Sequence, residues 1–220
     1  MELRIIPMFA TPFAQTRHPQ PERLNAVLRE LFLQRESQGA RYGNPHPTMR
    51  FNTEIFESRF DLFKWPEPCI AELREFCFVQ LYRFVGALSG FQEQALAQLR
   101  AHAEAWFHLT RRGGYFGVHN HPMATWSGVY CVDPAGSDTD PALGGRLTFI
   151  HPHGAVAMFL DPTVEALRLP YAYTTQEFKL SAGDLVLFPS WLMHHVTPYH
   201  GEGIRITVAF NAWFSRSAPG

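Results

Sequence analysis

From Trp106 onward the chain is a succession of short apolar runs cut by turn residues. The clearest run lies near the end. In Ile204-Arg205-Ile206-Thr207-Val208-Ala209-Phe210, apolar residues at 204, 206, 208 and 210 alternate with Arg205, Thr207 and Ala209. This is the period-two pattern of a strand with two unlike faces, and it puts Arg205 and Thr207 on the face opposite the apolar one. The last strand is predicted at 204–213, and further strands at 104–110, 115–119, 126–132, 145–150, 155–160, 173–179 and 184–188. Gly113-Gly114, Asp133-Pro134, Gly144-Gly145, His153-Gly154, Asp161-Pro162 and Gly183-Asp184 supply the turns between them. Short strands at this spacing predict a sandwich or jelly roll rather than a parallel sheet.

The first half reads differently. Leu3 to Phe13 is an extended segment closed by Pro12. A helix follows from Pro21 to Gln38, with Leu24, Val27, Leu28, Leu31 and Phe32 at helical spacing and Gly39 at its end. Arg41 to Thr53 is a loop in which His46, between two prolines, is a solvated histidine. Trp65-Pro66 opens a second helix that carries Ile70, Leu73, Phe76 and Cys77 to about Leu88, where Ser89-Gly90 breaks it. A shorter helix is predicted over 92–101. Apolar stripes without paired polar chemistry make these helices a layer packed on a sheet. The expected fold is α+β, mainly β with N-terminal helices. Residues 1–220 form one domain, with 1–103 as mostly helical support. Residues 104–216 form a double-stranded β-helix (a jelly-roll, cupin-like barrel) with the helices packed on one sheet.

Composition narrows the function. A formal net charge of −1 and the lack of any Lys/Arg run give no footing for nucleic acid or an anionic membrane. Cys69, Cys77 and Cys131 have no metal-finger spacing and suit buried thiols in a reducing compartment. No uninterrupted apolar span has membrane length, so the expected location is cytoplasmic. The oligomeric state cannot be read from the sequence, and a homodimer is left open.

The candidate chemistry sits at two places. In Gly113–Gly128 (GGYFGVHNHPMATWSG), His119 and His121 lie two apart, so in a strand both point to one face. Far downstream, Gly183-Asp184 leads into the strand Leu185–Phe188, Pro189 ends it, and a loop presents His194 and His195. Two imidazoles at i and i+2 with a third from a distant loop make a facial set with open positions, suited to Fe, Zn, Cu or Ni. An isolated His-x-His before Pro122 would more simply be a solvated strand end. The later pairing of His194 with Arg205, in jelly-roll order, favours a metal site beside a carboxylate clamp. His195 should point away from the site. His151 and His153 fit a solvated turn or a substrate mouth. Trp106, Trp126 and Trp191 belong to the core or rim.

The order His119-Asn120-His121-Pro122, then Ser127-Gly128-Val129-Tyr130, Gly144-Gly145-Arg146-Leu147, Ala182 to His194 (AGDLVLFPSWLMH), Arg205-Ile206-Thr207 and Phe210-Asn211 resembles a bacterial family. Its members are 2-oxoglutarate/Fe(II)-dependent oxygenases of pattern HxHP…SGVYYV…GDLVLFPSWLxH…RISxxFN. The resemblance is specific in the final third and looser before residue 100. It implies a dioxygenase that hydroxylates a substrate C–H bond with O₂, Fe(II) and 2-oxoglutarate. By it, His119, His121 and His194 surround iron and Arg205 holds the distal carboxylate of 2-oxoglutarate, a role that suits a planar guanidinium fork. Thr207 adds a hydroxyl to that carboxylate, and Tyr115 and Ser127 are further candidates for the co-substrate pocket. The wider superfamily has an acid where this chain has His121, and neither Asp133 nor Asp184 replaces it. Three neutral imidazoles leave Fe(II) its full charge, which alters redox tuning and metal preference. A three-histidine cupin-type enzyme that does not use 2-oxoglutarate and a non-catalytic metal-binding jelly roll are the alternatives. The substrate, a small molecule or peptide, is not specified by Arg41–Thr53 or Asp161–Gln176, the segments expected at the mouth.

Overall fold

The computed structural model describes residues 3–153 and 161–216. In chain order its elements are β1 (Ala14–Arg17), α1 (Pro21–Glu36), β2 (Ile55–Glu57), α2 (Pro68–Ser89), α3 (Glu93–Ala97), β3 (Leu99–Thr110), β4 (Phe116–His119) and β5 (Trp126–Asp133). There follow β6 (Leu147–Phe149), α4 (Pro162–Glu165), β7 (Gln176–Phe178), β8 (Asp184–Pro189), β9 (His194–Val196) and β10 (Arg205–Arg216). Six strands form one sheet in the order β1-β8-β5-β10-β3-β2, and four form a second in the order β4-β9-β6-β7. All these pairings are antiparallel. This is the expected double-stranded β-helix, laid out as two sheets that do not hydrogen-bond into a closed ring among the described residues.

The alternation in β10 decides what lies on each side of the larger sheet. Ile206, Val208, Phe210 and Ala212 turn outward and pack with Leu24, Leu28 and Phe32 of α1 and Ile70, Leu73 and Leu81 of α2. Phe32 stacks on Phe107 of β3 with ring centroids 4.2 Å apart. Full burial of each such side chain contributes about 1.5–3 kcal/mol, which makes this layer the main source of stability. Asn25 pins α1 to β5: its Nδ2 donates to the Val132 carbonyl at 2.8 Å, and the Tyr130 hydroxyl donates to its Oδ1 at 2.7 Å. A buried polar pair satisfied in this way fixes the helix register on the sheet. The helices therefore pack on one sheet, as the stripes predicted.

Between the sheets, Cys131, Leu147, Phe149, Val186, Phe188 and Leu192 form a second apolar cluster over β5 and β8. Over β10 and β3 the inward residues are more polar, and the space there stays open as a cavity. The register sets Thr207 opposite His108, Ala209 opposite Trp106, Asn211 opposite Glu104 and Arg205 opposite Thr110.

The differences from expectation have physical causes. Residues 99–101 belong to β3, not to the helix predicted over 92–101, because β10 runs on to Arg216 and pairs with Leu99; cross-strand pairing overrides the local helical pattern. α2 starts at Pro68, after a tight turn at Leu62–Lys64, rather than at Trp65-Pro66. β1, β2 and β9 are strands of three or four residues, too short for a periodicity to show. Leu3–Phe13 forms no strand, and the strand begins at Ala14. The strand predicted at 155–160 lies outside the described residues. Among those residues no helix is long and apolar enough to cross a membrane.

Candidate metal centre and active-site cavity

His119, His121 and His194 converge. Each offers one ring nitrogen, and these nitrogens all lie within 4.8 Å of one another. Their convergence does not arise as the His-x-His spacing suggested. β4 ends at His119, where the strand pairs with His194 of β9, and His121 lies beyond it. The segment after β4 is instead fastened to the loop after β8, where the His121 N–H donates to the Ser190 carbonyl at 2.9 Å and the Ser190 N–H donates to Thr125 at 3.1 Å. That fastening folds His121 back until its Nε2 lies 3.2 Å from Nε2 of His194. Nor is His194 on a bare loop: β9 pairs with both β4 and β6 and holds it rigidly.

Two of the three rings have their tautomer set. Nδ1 of His119 lies 2.7 Å from the Gly117 carbonyl and Nδ1 of His194 lies 2.8 Å from the Leu192 carbonyl. A carbonyl can only accept, so each Nδ1 carries the proton and each Nε2 presents a lone pair. Burial, with repulsion from the neighbouring imidazoles, pushes His121 down to about 3. Burial and His119 push His194 down to about 4, and burial also lowers His119. All three rings are neutral near neutral pH. Among the described residues no carboxylate joins them. This donor set of three converging imidazole lone pairs fits a divalent transition metal such as Fe(II).

The triad opens on a cavity of about 510 Å³ lined from both sheets, among others by Trp106, His108, Leu147, Val196, Arg205 and Thr207. That is ordinary for a small-molecule site, at roughly 300–1,000 Å³. Arg205 is 4% exposed, and no carboxylate lies within salt-bridge distance of it among the described residues. Burial lowers its pKa, with Cys131 and Tyr199 acting against that. A buried guanidinium without a counter-ion is costly and calls for an anion in the cavity. Thr207, on the same face two residues on and also buried, adds a hydroxyl. The Arg205/Thr207 pairing read from the alternation thus stands on the cavity floor.

Tyr115 and Ser127 do not line the cavity. Tyr115 precedes β4 and is 42% exposed. Ser127 is buried and spans Ser190 Oγ at 2.8 Å and Asn211 Oδ1 at 2.9 Å. It therefore braces the loop that positions His121. His195 points to the face of β9 opposite His194, as alternation requires. His151 and His153 lie outside the cavity lining, near each other and Tyr173. Trp106 lines the cavity, Trp126 packs on the helix-side core, and Trp191 is exposed.

One constellation escaped the sequence reading. Glu57 of β2 pairs across the strands with His108 of β3, and both line the cavity. Their side chains meet at 3.2 Å, and Trp106 Nε1 lies 3.0 Å from the same His108 nitrogen. The available signal was the alternation Glu104, Trp106, His108 in β3, masked by apolar residues on both faces of Ala105–Leu109. Glu57 gave no signal, since β2 is too short to read.

Residues 104–211 match the model of a family described as "Putative 2OG-Fe(II) oxygenase". The match runs from Glu104 to Asn211 and so includes the histidine triad and Arg205. No curated protein matches the chain. Among solved structures, a Pseudomonas putida prolyl-4-hydroxylase is 19% identical with a TM-score of 0.60 over 94% of each chain. A prolyl hydroxylase from Trichoplax adhaerens is 11% identical with a TM-score of 0.60, over 91% of this chain and 83% of that one. HygX from Streptomyces hygroscopicus, solved with nickel, 2-oxoglutarate and hygromycin B bound, is 14% identical with a TM-score of 0.54, over 92% and 83%. Likeness at such identities establishes the shared fold, and residues 104–211, the segment that holds the histidine triad and Arg205, are similar to the 2OG-Fe(II) oxygenase family.

Proposed function

We propose that this protein is a 2-oxoglutarate-dependent hydroxylase in which His119, His121 and His194 hold Fe(II). Arg205 and Thr207 hold the distal carboxylate of 2-oxoglutarate. The observation that carries the reading is Arg205, buried and unpaired on the cavity into which three neutral imidazoles converge. Bound there, Fe(II) and 2-oxoglutarate supply the oxidising chemistry, in which O₂ is consumed, succinate and CO₂ are released and one oxygen atom enters a substrate C–H bond.

The chain's own residues hold and orient. His119 and His194 keep their protons on Nδ1 through the Gly117 and Leu192 carbonyls, which aims both Nε2 lone pairs inward. The Arg205 fork binds a carboxylate at two points and fixes the direction of the diacid, with the Thr207 hydroxyl donating to the same group. Val129, Leu147 and Val196 line the cavity with apolar surface, which excludes water and strengthens each polar contact inside. The substrate is a small molecule or a peptide side chain. The free thiols Cys69, Cys77 and Cys131 suit a reducing compartment, and we place the activity in the cytoplasm.

The test is succinate formation by the Fe(II)-loaded protein with 2-oxoglutarate and O₂. Turnover by the wild type that is lost in His194→Ala and sharply reduced in Arg205→Ala supports the assignment. Equal turnover in all three proteins defeats it.

A further inference from the structure

The end of the cavity away from Arg205 has its own polar equipment. From Arg205 to Asn211 the floor runs six residues along β10, roughly 20 Å at ~3.4 Å per residue, and Asn211 lies opposite Glu104. Arg205 stands at one end and Glu104 of β3 lines the other; between them lie Trp106 with Phe60 and then, opposite Thr207, His108 with Glu57. Phe60 stacks on Trp106 with centroids 4.3 Å apart, giving an aromatic wall beside an exposed carboxylate.

Glu57, opposite His108, lines the cavity beside this wall as a buried anion. Burial would raise its pKa, but hydrogen bonds from His108, Asn44 and the Thr48 N–H hold it down at about 2. His108 Nε2 faces both the Glu57 carboxylate and the Trp106 indole N–H, and it cannot donate to one while accepting from the other. A buried carboxylate is the costlier group to leave unpaired, so the proton sits on Nε2. Nδ1 is then an acceptor with no partner among the described residues, on a ring that lines the cavity. The charges agree. With Fe(II), Arg205 and the doubly charged diacid in place, one positive charge is left over. Glu57 cancels it, and Glu104 leaves the cavity one negative charge.

We infer that the substrate carries a cationic amine, seated on the Phe60–Trp106 wall between Glu104 and His108, with the carbon to be hydroxylated turned toward the histidine triad. Aromatic faces and a carboxylate together recognise an ammonium group, and its N–H donates to His108 Nδ1. The inference rests on the Fe(II)/2-oxoglutarate reading above. The same chemistry is offered by a free amine and by a lysine side chain in a peptide.

The experiment is calorimetry on Fe(II)-loaded protein with 2-oxoglutarate, without oxygen. The probes are n-pentylamine against pentan-1-ol and pentanoate, and acetyl-lysine amide against acetyl-norleucine amide. In at least one set the cationic member should bind about tenfold or more tighter than its neutral match, and the set that binds tighter identifies the source. Glu57 lies in a buried network, so the variant is Glu104→Gln on the exposed rim, which should reduce that preference severalfold. Neutral probes binding as well as amines, with 2-oxoglutarate bound normally, would overturn this inference alone. A preference unaltered in Glu104→Gln would mean the amine ligates metal directly, and would overturn it too. Failure of 2-oxoglutarate itself to bind would remove the parent reading, and this one with it.

Discussion

Gly145 leaves open the space through which Arg205 passes. A Cβ at Gly145 would lie 3.0 Å from Arg205 Cδ and 3.3 Å from Nε, and the residue has φ +66°. Gly145→Ala therefore carries two penalties: a left-handed backbone costing about 1–2 kcal/mol, and a displaced guanidinium. The expected outcome is a modest fall in melting temperature with a weakening of 2-oxoglutarate binding by about tenfold or more. Calorimetry of both quantities checks it, and unchanged affinity would mean that the glycine serves only the turn.

Arg205 should separate stability from binding. Its charge is buried without a partner, so Arg205→Met removes a desolvation cost and fills the volume with apolar atoms. The melting temperature should hold or rise, while co-substrate binding loses about 2–5 kcal/mol. Differential scanning calorimetry with and without 2-oxoglutarate reads both. A variant that melts early would show that the guanidinium has a structural partner.

Ser127 and Tyr115 part company. Ser127→Ala breaks two buried hydrogen bonds, to Ser190 and Asn211, and should cost about 1–3 kcal/mol. Because Ser190 fastens His121, metal affinity should fall with it. Tyr115→Phe, at an exposed position outside the cavity, should alter neither. Denaturant titration and metal-binding isotherms distinguish the two.

Much of this was legible in the sequence because one face of β10 is apolar and the other is not. The alternation at 204–210 placed Arg205 and Thr207 on the cavity side, and the stripes of α1 and α2 placed the helices on a sheet. His194 was legible as a site residue but not as part of a strand, since β9 has only three residues. What brings His121 onto His194 was hidden, because it is a backbone bond to Ser190 rather than a side-chain pattern. Glu57 and His108 were missed for a related reason. They meet only through long-range pairing of β2 with β3, and no local period marks either one.

Metal-free protein should lose stability as pH falls from 6.5 toward about 4. The unfolded chain's histidines take up protons below 6.5, whereas folded His194 resists until about 4 and His121 until about 3. The unfolded state thus binds more protons in that window, so stability rises with pH there. Glu57 acts in the same direction but lower, its contribution fading below 4.5 toward about 2. Urea midpoints between pH 6.5 and 4.5 isolate the histidines, and His194→Gln should flatten the slope. A slope unchanged in that variant would place the titration elsewhere.

The most direct measurement is an anaerobic titration of the Fe(II)-loaded protein with 2-oxoglutarate, followed by visible absorption. Wild-type protein should develop the weak metal-to-ligand charge-transfer band of a chelated keto acid at saturation. His194→Ala should show no band, and Arg205→Ala should show none at the same concentration. Iron bound at the triad with no band in the wild type, or a band equally strong in Arg205→Ala, would contradict the account.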